Sequence, residues 1–240
     1  MHEEVAALLP CLGDARIERR AGRDFHLGRL DGHDVVLVRS GIGKVAAATT
    51  AAVLLDAYAA RAVLFTGVAG GLAAGVGVGD IVVAAQLLQH DLDASPIFPR
   101  HEVPLYGLSR FATDAGWSDL LARAATHVRD APCAARAGFG LPRPAVHRGL
   151  VVSGDRFVAT SAESATLRGE LPDALAVEME GAAVAQVCHD FRRPFAVVRT
   201  ISDRADDQAH VDFSRFVAEV AAPYSRDLVR EALRLAPGGT

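Results

Sequence analysis

Cysteine and long apolar runs are scarce in this sequence of 240 residues, and each scarcity excludes a class of protein. The three cysteines, Cys11, Cys133 and Cys188, are odd in number and form no CxxC pair, so neither a disulfide framework nor a zinc site is predicted. No apolar run reaches the roughly 18 residues that a membrane span needs. Glu3 and Glu4 stand where a signal peptide would carry its basic region. We therefore expect a soluble, cytoplasmic protein.

An excess of basic residues is also lacking. Lys and Arg number 25 against 29 Asp and Glu, which gives a formal charge of −4. A nucleic-acid-binding surface normally needs a clustered basic face, so no nucleic-acid partner is expected. His90 lies near Asp91 and Asp93, but we prefer a strand-end or interface position to a metal cluster. No metal ion is expected.

Strand-like and helix-like segments alternate along the chain, and hydrophobic residues make up 50% of it. The predicted strands are 24–30, 34–39, 62–67, 81–88, 147–154, 173–178 and 195–202. The predicted helices are near 44–58, 109–128, 162–170, 181–190 and 213–234, with loops at 67–80 and 94–106. This order predicts one α/β domain over residues 1–240, with three α/β/α layers and a mostly parallel, mixed central sheet.

Two glycine motifs could mark nucleotide sites. GIGKVA (41–46) fits the dinucleotide fingerprint, but that fingerprint needs an acid about 20 residues later, and no acid follows the next strand until Asp80. GVAGGLAAGVGVGD (67–80) leads into a strand and lacks the G-K-[ST] ending of a P-loop. It is either a tight turn or a place where the backbone approaches a ligand, and we favour the ligand. No organic cofactor is expected.

Carboxylates follow two predicted strands. Asp203 comes directly after AVVRTIS, and Glu178 and Glu180 follow DALAV. Ligands of open α/β sheets bind beyond the carboxyl ends of strands, which makes these residues candidates for chemistry. Each also has a structural interpretation, because Asp203 could cap a turn and the two glutamates could favour the start of a helix.

The blocks around these residues resemble a known family. They are SGIGKVAAA (40–48), TGVAGGL (66–72), VGDIVV (78–83), VSGDRFV (152–158), VEMEGAAVAQVC (177–188) and RTISDRAD (199–206). In this order they are similar to the 5′-methylthioadenosine/S-adenosylhomocysteine nucleosidases of the purine nucleoside phosphorylase superfamily. The resemblance covers about residues 1–235 and implies a nucleoside phosphorylase-like fold, adenine release from a nucleoside in methionine salvage, and a homodimer whose partner subunit closes the 5′ pocket.

The resemblance also implies roles for individual residues. Asp203 matches the acid that protonates purine N7, with Ser202 orienting it, while Glu4 resembles the base that activates water, with Arg199 nearby. Glu180 would bind the ribose hydroxyls. The remaining implied substrate-binding residues are Phe157 and Val158 at the adenine, Glu178 and Met179 at the sugar, Ile42 and Phe213 at the 5′-thio group, and Val68, Ala69 and Gly70 in the glycine loop.

Elementary chemistry supports such roles. Adenine leaves poorly as an anion, so a carboxylic acid must protonate the ring as the glycosidic bond breaks. Water then attacks the opposite face of a sugar with oxocarbenium character, as in an inverting glycosidase. An aromatic face can hold the purine by stacking, and an apolar pocket suits a thioether.

The sequence departs from the family pattern in two places. The family begins with a short apolar strand that precedes the segment matching MHEEV, so we expect the natural start to lie upstream of Met1 and Glu4 to depend on that strand for its position. Val68 replaces a serine that is common in the family's TGSAGG segment.

Three alternatives remain. A purine nucleoside phosphorylase would need phosphate-binding groups where this chain has Glu4 and Val68. A futalosine or 6-amino-6-deoxyfutalosine nucleosidase would differ in the outer-pocket loop 94–106. A nucleoside-binding protein without catalysis is opposed by the intact Asp203, Glu180 and Glu4.

Overall fold

The computed structural model describes residues 1–205 and 213–237, apart from the Ala134 side chain. The strands are β1 (Gly13–Arg20), β2 (Arg23–Leu30), β3 (His33–Val38), β4 (Val63–Gly71), β5 (Ile81–Gln89), β6 (Arg110–Ala112), β7 (Val146–Ser153), β8 (Ala174–Glu178) and β9 (Phe195–Asp203). The α-helices are α1 (His2–Leu8), α2 (Lys44–Asp56), α3 (Ala115–Asp130), α4 (Ala134–Gly138), α5 (Ser161–Glu170), α6 (Gly181–Asp190), α7 (Phe213–Phe216) and α8 (Ala222–Leu235).

The predicted helix at 109–128 begins later than expected. Arg110–Ala112 pairs with β5 as the short strand β6, and α3 starts only after Asp114, whose carboxylate accepts the Trp117 N–H at 2.9 Å. This is an ordinary N-cap. The predicted loop 67–80 is wrong in its first part, because β4 continues to Gly71 through pairing with β9 and β8. The predicted last helix contains a π-helical turn at Val217–Ala221.

The central sheet has the order β6-β5-β7-β8-β4-β9 and closes on itself through a β5–β9 pairing. Its longer pairings, β4–β9, β5–β7 and β7–β8, are parallel, while the shorter ones, β4–β8, β5–β6 and β5–β9, are antiparallel. The predicted mixed, mostly parallel sheet is therefore confirmed. A separate antiparallel sheet contains β1, β2 and β3.

Helices cover both faces of the central sheet, as the alternation along β5 shows. Val82 and Ala84 pack in one core cluster with apolar residues of α2 and α6. Ile81 and Val83 point to the opposite face and pack with residues of α3 and α8. All four side chains are fully buried, so the strand reads as a continuous apolar run rather than as an alternation. The three-layer prediction is confirmed.

A cavity of about 920 Å³ lies between β3 and β4, and α1 also lines it. Val35 and Leu37 line it from β3, and Phe65 and Thr66 from β4. Among the described strands, β3 pairs only with β2, and β4 pairs only with β9 as far as Ala69. The expected additional strand ahead of Met1 stays a prediction.

Within residues 1–205 and 213–237, no helix has the length and apolarity to cross a membrane.

Asp80 connects the glycine-rich loop to the start of β5 and β7. Its buried carboxylate accepts the N–H groups of Gly77 at 2.9 Å and Ala145 at 2.7 Å, and His147 Nε2 lies 2.9 Å from it. These contacts join two segments that are distant in sequence, the loop before β5 and the start of β7, because one carboxylate offers several acceptor positions.

We expect Asp80→Ala to lower the free energy of unfolding by about 1–3 kcal/mol, because two backbone donors lose a charged acceptor. Urea unfolding followed by circular dichroism measures this. Asp34→Ala is the matched control, since the Asp34 side chain is 92% exposed and pairs with Arg29 only at 3.6 Å. Equal unfolding midpoints for the two variants would contradict the assigned role of Asp80.

Candidate active site

Three strands meet at Gly70. In the sheet register, Gly70 of β4 is paired with Asp203 of β9 and with Val177 of β8. A Cβ atom at this position would lie 2.9 Å from Asp203 Oδ1 and 2.9 Å from the Ala205 Cβ. Only glycine fits at this separation, which gives a steric reason for part of the glycine motif. Gly70 therefore brings the backbone of β4 directly against Asp203, the candidate acid.

Asp203 is buried at the end of β9, a strand whose nine residues are all buried. Its Oδ2 accepts the Ser202 hydroxyl at 2.7 Å, and its Oδ1 accepts the Ala205 N–H at 2.8 Å. Because each carboxylate oxygen has a donor, the plane of the group is fixed. The predicted pairing of Ser202 with Asp203 is present in the structure.

A buried ion pair lies beside this strand end. Arg199 Nη2 donates to Glu178 Oε2 at 2.8 Å, and the two side chains are 1% and 3% exposed. The guanidinium carbon lies 4.3 Å from the centre of the Phe65 ring and against the Gly67 backbone. A buried charge pair is tolerated only when further hydrogen bonds offset the loss of solvent.

Glu178 receives those further hydrogen bonds from the start of α6. Its carboxylate accepts the Gly181 N–H at 2.8 Å, the Glu180 N–H at 3.1 Å and the Ser153 hydroxyl. A carboxylate at a helix N-terminus is favoured by unpaired N–H groups and by the helix dipole. Because all of these donors are groups of the protein, we infer that the Glu178 carboxylate holds the neighbouring segments in place.

Glu180 points away from its own helix. Its Oε1 accepts the Gly43 N–H at 2.9 Å, across 137 positions of sequence. Burial, followed by the negative charge of Glu178, raises the pKa of the Glu180 carboxyl above its ordinary value of 4.5. A carboxyl group with a raised pKa in a partly buried position is typical of functional sites.

The GIGK segment is held by carboxylates and a lysine. Asp155 accepts the Lys44 N–H at 2.7 Å, while Asp91 accepts the Lys44 ammonium at 2.6 Å and the Asp155 N–H at 2.8 Å. Gly43 adopts a φ of +90°, which favours glycine. The motif thus aims backbone N–H groups at the acids of the site. We call this group of Lys44, Asp91 and Asp155 the Asp91 clamp.

The predicted ligand-contacting residues occupy several environments. Phe157 is 41% exposed, and its ring packs edge-on against Phe213 with centres 6.3 Å apart. Val158 and Ala69 are buried, Val68 and Met179 are half-buried, and Ile42 is 74% exposed. Phe157 comes shortly after Asp155 of the clamp in sequence, and Ile42 comes shortly before Lys44. The clamp therefore connects the segment of Ile42 to the segment of Phe157.

Glu4 lies apart from the acids of the strand ends. It is buried, its Oε1 accepts the Ser225 hydroxyl at 3.0 Å, and its Oε2 contacts the Met1 amino group. Thr66 donates to the same Ser225 at 2.9 Å. Glu4 lines the cavity between β3 and β4, and Asp203, Glu180 and Arg199 do not line that cavity.

The sequence predicted the strand-end acids and the pairing of Ser202 with Asp203, but not the other partners of these acids. It did not identify Ser153 or the Asp91 clamp, whose members come from separate segments and meet only in the fold. Over residues 1–205 and 213–237, no cluster of three His, Cys, Asp or Glu side chains could hold a metal ion. His90 directly follows β5, and Asp91 belongs to the Asp91 clamp.

We expect Glu180→Gln to unfold at a higher temperature than the unchanged protein at pH 7. The charged form of Glu180 is disfavoured in the folded state, and this penalty is absent below pH 4.5 and grows as the pH rises through the raised pKa. Glutamine keeps the oxygen that accepts the Gly43 N–H. Calorimetry at pH 7 and pH 4 should show the difference in melting temperature shrinking in acid.

The matched control for that experiment is Glu219→Gln, which changes an exposed glutamate paired with Arg215 and should shift the melting temperature little at either pH. A Glu180→Gln protein that melts below the unchanged protein at pH 7 would contradict the expectation, because the charge would then be stabilising.

Comparison with known proteins identifies the family. The sequence profile of the Phosphorylase superfamily matches residues 1–234. A 5′-methylthioadenosine/S-adenosylhomocysteine nucleosidase of Anoxybacillus flavithermus is 38% identical over 232 residues, which are 96% of this chain and 93% of the relative.

Solved structures agree. The nucleosidase of the same kind from Neisseria meningitidis, in complex with methylthio-immucillin-A, has a TM-score of 0.88 and 36% identity over 98% of this chain and 96% of its own. A futalosine hydrolase mutant of Helicobacter pylori has a TM-score of 0.83 and 30% identity over 97% and 95%. The arrangement of strand-end acids thus occurs in a chain that belongs to the 5′-methylthioadenosine/S-adenosylhomocysteine nucleosidase family of the phosphorylase superfamily.

Proposed function

We propose that this protein hydrolyses the N-glycosidic bond of 5′-methylthioadenosine and S-adenosylhomocysteine, releasing adenine and the 5′-thioribose product. The observation that carries the proposal is the Asp203 carboxylate, buried at a strand end and held at both oxygens by Ser202 and Ala205. The 38% identity to a nucleosidase of that specificity supports the choice of substrates.

Asp203 is the general acid of the proposed reaction. As the bond between the sugar and purine N9 breaks, the proton of Asp203 passes to purine N7, so that adenine leaves as a neutral base. The Ser202 hydroxyl and the Ala205 N–H hold the carboxyl plane while this happens. General acid catalysis of this kind typically contributes about 10²–10⁴ in rate.

Glu180 and its neighbours bind the sugar in this proposal. The Glu180 carboxylate accepts hydrogen bonds from the ribose hydroxyls and is kept in place by the Gly43 N–H. Met179 packs against the ribose ring. The ion pair of Glu178 and Arg199 holds the backbone from which Glu180 projects. Positive charge developing on the sugar favours nearby carboxylates, which is a form of electrostatic stabilisation.

Phe157 and Val158 bind the purine, and Ile42 and Phe213 contact the 5′-thio group. In this proposal the Phe157 ring, which is 41% exposed, stacks on the purine, and its edge-on contact with Phe213 connects the two pockets. Val68, Ala69 and Gly70 bring the backbone of β4 close to the ligand. These assignments follow the family resemblance together with the positions of the side chains.

Glu4 is the proposed base that activates water. In the structure its carboxylate is bound by Ser225 and by the Met1 amino group, and Arg199 is committed to Glu178. The base role therefore requires a conformation in which Glu4 reaches the sugar face opposite the purine, where an inverting reaction needs its water.

Two other enzymatic activities compete with this proposal. A phosphorylase would attack with phosphate, yet the nearby Arg199 is already neutralised by Glu178 and would have to leave it. A futalosine-type substrate would use the same catalytic residues. The similar structure from Helicobacter pylori is a futalosine hydrolase mutant, which supports this alternative. A nucleoside-binding protein without catalysis would leave the fixed Asp203 carboxyl without a use.

A cytoplasmic homodimer acting in methionine salvage is the proposed setting. Cys11, Cys133 and Cys188 are free thiols, as suits a reducing compartment. Ile97 and Leu105 in the loop between β5 and β6 are 82% and 90% exposed. Exposed large apolar side chains near each other in one segment favour an interface, here with a second copy of the chain.

The first test is adenine release from methylthioadenosine in phosphate-free buffer. The unchanged protein should release adenine, and Asp203→Asn should lower kcat by about 10²–10⁴, because an amide cannot donate the proton. Asp173→Asn is the control, since Asp173 forms an exposed pair with Arg110 away from the site. Release that requires added phosphate would identify a phosphorylase, and release from aminofutalosine alone would identify the futalosine-type activity.

The dimer is tested by Leu105→Asp, which places a charge in the proposed interface. Sedimentation should show a dimer for the unchanged protein and a monomer for the variant, with a higher KM for methylthioadenosine because the 5′ pocket is left open. Ile17→Asp is the control, since Ile17 is 63% exposed on β1 of the other sheet. A monomeric unchanged protein would overturn the dimer proposal.

A further inference from the structure

The backbone beyond β9 turns sharply at Ala205. Ala205 has a φ of +50°, in the left-handed region that costs about 1 kcal/mol or more for a residue with a Cβ. Its side chain is fully buried. This conformation aims the Ala205 N–H back at Asp203 Oδ1, 2.8 Å away. The donor that fixes one oxygen of the proposed acid thus depends on an unfavourable backbone conformation.

A side chain from another element holds this turn. Ser164, on α5, is 1% exposed, and its hydroxyl donates to the Ala205 carbonyl oxygen. The helix itself is anchored by Thr160, whose hydroxyl accepts the Glu163 N–H at its N-cap. A serine buried in an apolar cluster is costly unless its hydroxyl is hydrogen-bonded, and this bond to Ala205 meets that need.

Packing against β4 further restricts the position of Ala205. Ala205 lies against Gly70, where a Cβ would approach its Cβ to 2.9 Å and its Cα to 3.3 Å. Ala205 is therefore pressed against β4 through its Cα and Cβ atoms and bound by Ser164 through its carbonyl oxygen. The resulting chain of contacts runs from Ser164 to the Ala205 carbonyl, and from the Ala205 N–H to Asp203.

We propose that Ser164, on α5, is a positioning residue. It orients the Asp203 carboxylate by fixing the backbone of Ala205 through the Ala205 carbonyl oxygen. The role rests on the proposed function for its catalytic consequence. Ser164 makes no contact with the reacting atoms and acts only through Ala205. Without its hydroxyl, the Ala205 turn relaxes, the N–H moves off Asp203 Oδ1, and the acid loses a donor that helps to set its plane.

The experiment compares Ser164→Ala with the unchanged protein. Steady-state kinetics on methylthioadenosine should show kcat about 10-fold lower with KM nearly unchanged, because misplacement of a catalytic group slows the chemical step more than binding. Proton NMR should show the Ala205 amide resonance moving upfield and exchanging faster with solvent, since its hydrogen bond to the carboxylate is lost.

Three variants complete the design. Thr166→Ala deletes another hydroxyl of α5, one that donates to Ala162 within the helix at 3.1 Å, and should change neither readout. Ser164→Cys keeps a donor, though a weaker one, in a slightly larger side chain and should give an intermediate kcat; it carries the test if Ser164→Ala fails to fold. Asp203→Asn identifies the amide signals that depend on the carboxylate.

An unchanged kcat with an unchanged Ala205 amide would overturn the positioning role, as would a raised KM at constant kcat, which would place Ser164 in substrate binding. Failure of the proposed function is distinguishable, because the unchanged protein would then release no adenine while the Ala205 amide could still be compared between variants. A shifted amide in that inactive protein would support the structural connection from Ser164 to Asp203.

Discussion

The buried ion pair between Arg199 and Glu178 is the interaction on which the rest of the site depends. It connects the end of β8 to the middle of β9, and Glu178 also accepts free N–H groups at the start of α6. Such a pair contributes little net stability, since the loss of hydration offsets the attraction. Its value is geometric: the end of β8, the middle of β9 and the start of α6 are held together by a single carboxylate.

Different surroundings give three neighbouring carboxylates different uses. Glu178 is surrounded by protein donors, so its charge is fully compensated. Glu180 is largely buried and lies near the like charge of Glu178, and both raise the pKa of its carboxyl, while its Oε1 accepts the Gly43 N–H. Asp203 has a hydroxyl and a backbone N–H. Environment rather than residue type separates structural from reactive carboxylates.

The sequence was sufficient for most of the alternating strands and helices and for the positions of Asp203 and Glu180, whose roles stay predictions, because local patterns place acids directly after buried strands. It was insufficient for β6 and the extension of β4 to Gly71, whose strand state comes from pairing with distant segments. The same holds for the Asp91 clamp and for Ser164, whose partners lie 41 or more positions away. The roles implied for Glu4 and the pocket residues stay predictions.

The Asp91 clamp has a consequence for the entropy of ligand binding. It ties the segment that bears Ile42 to the segment that bears Phe157 through short contacts at Lys44 and Asp155. Ordering a flexible loop costs about 1–2 kcal/mol for each residue fixed. Here the clamp orders both segments during folding, so a ligand of the proposed pocket would retain more of its interaction energy as affinity.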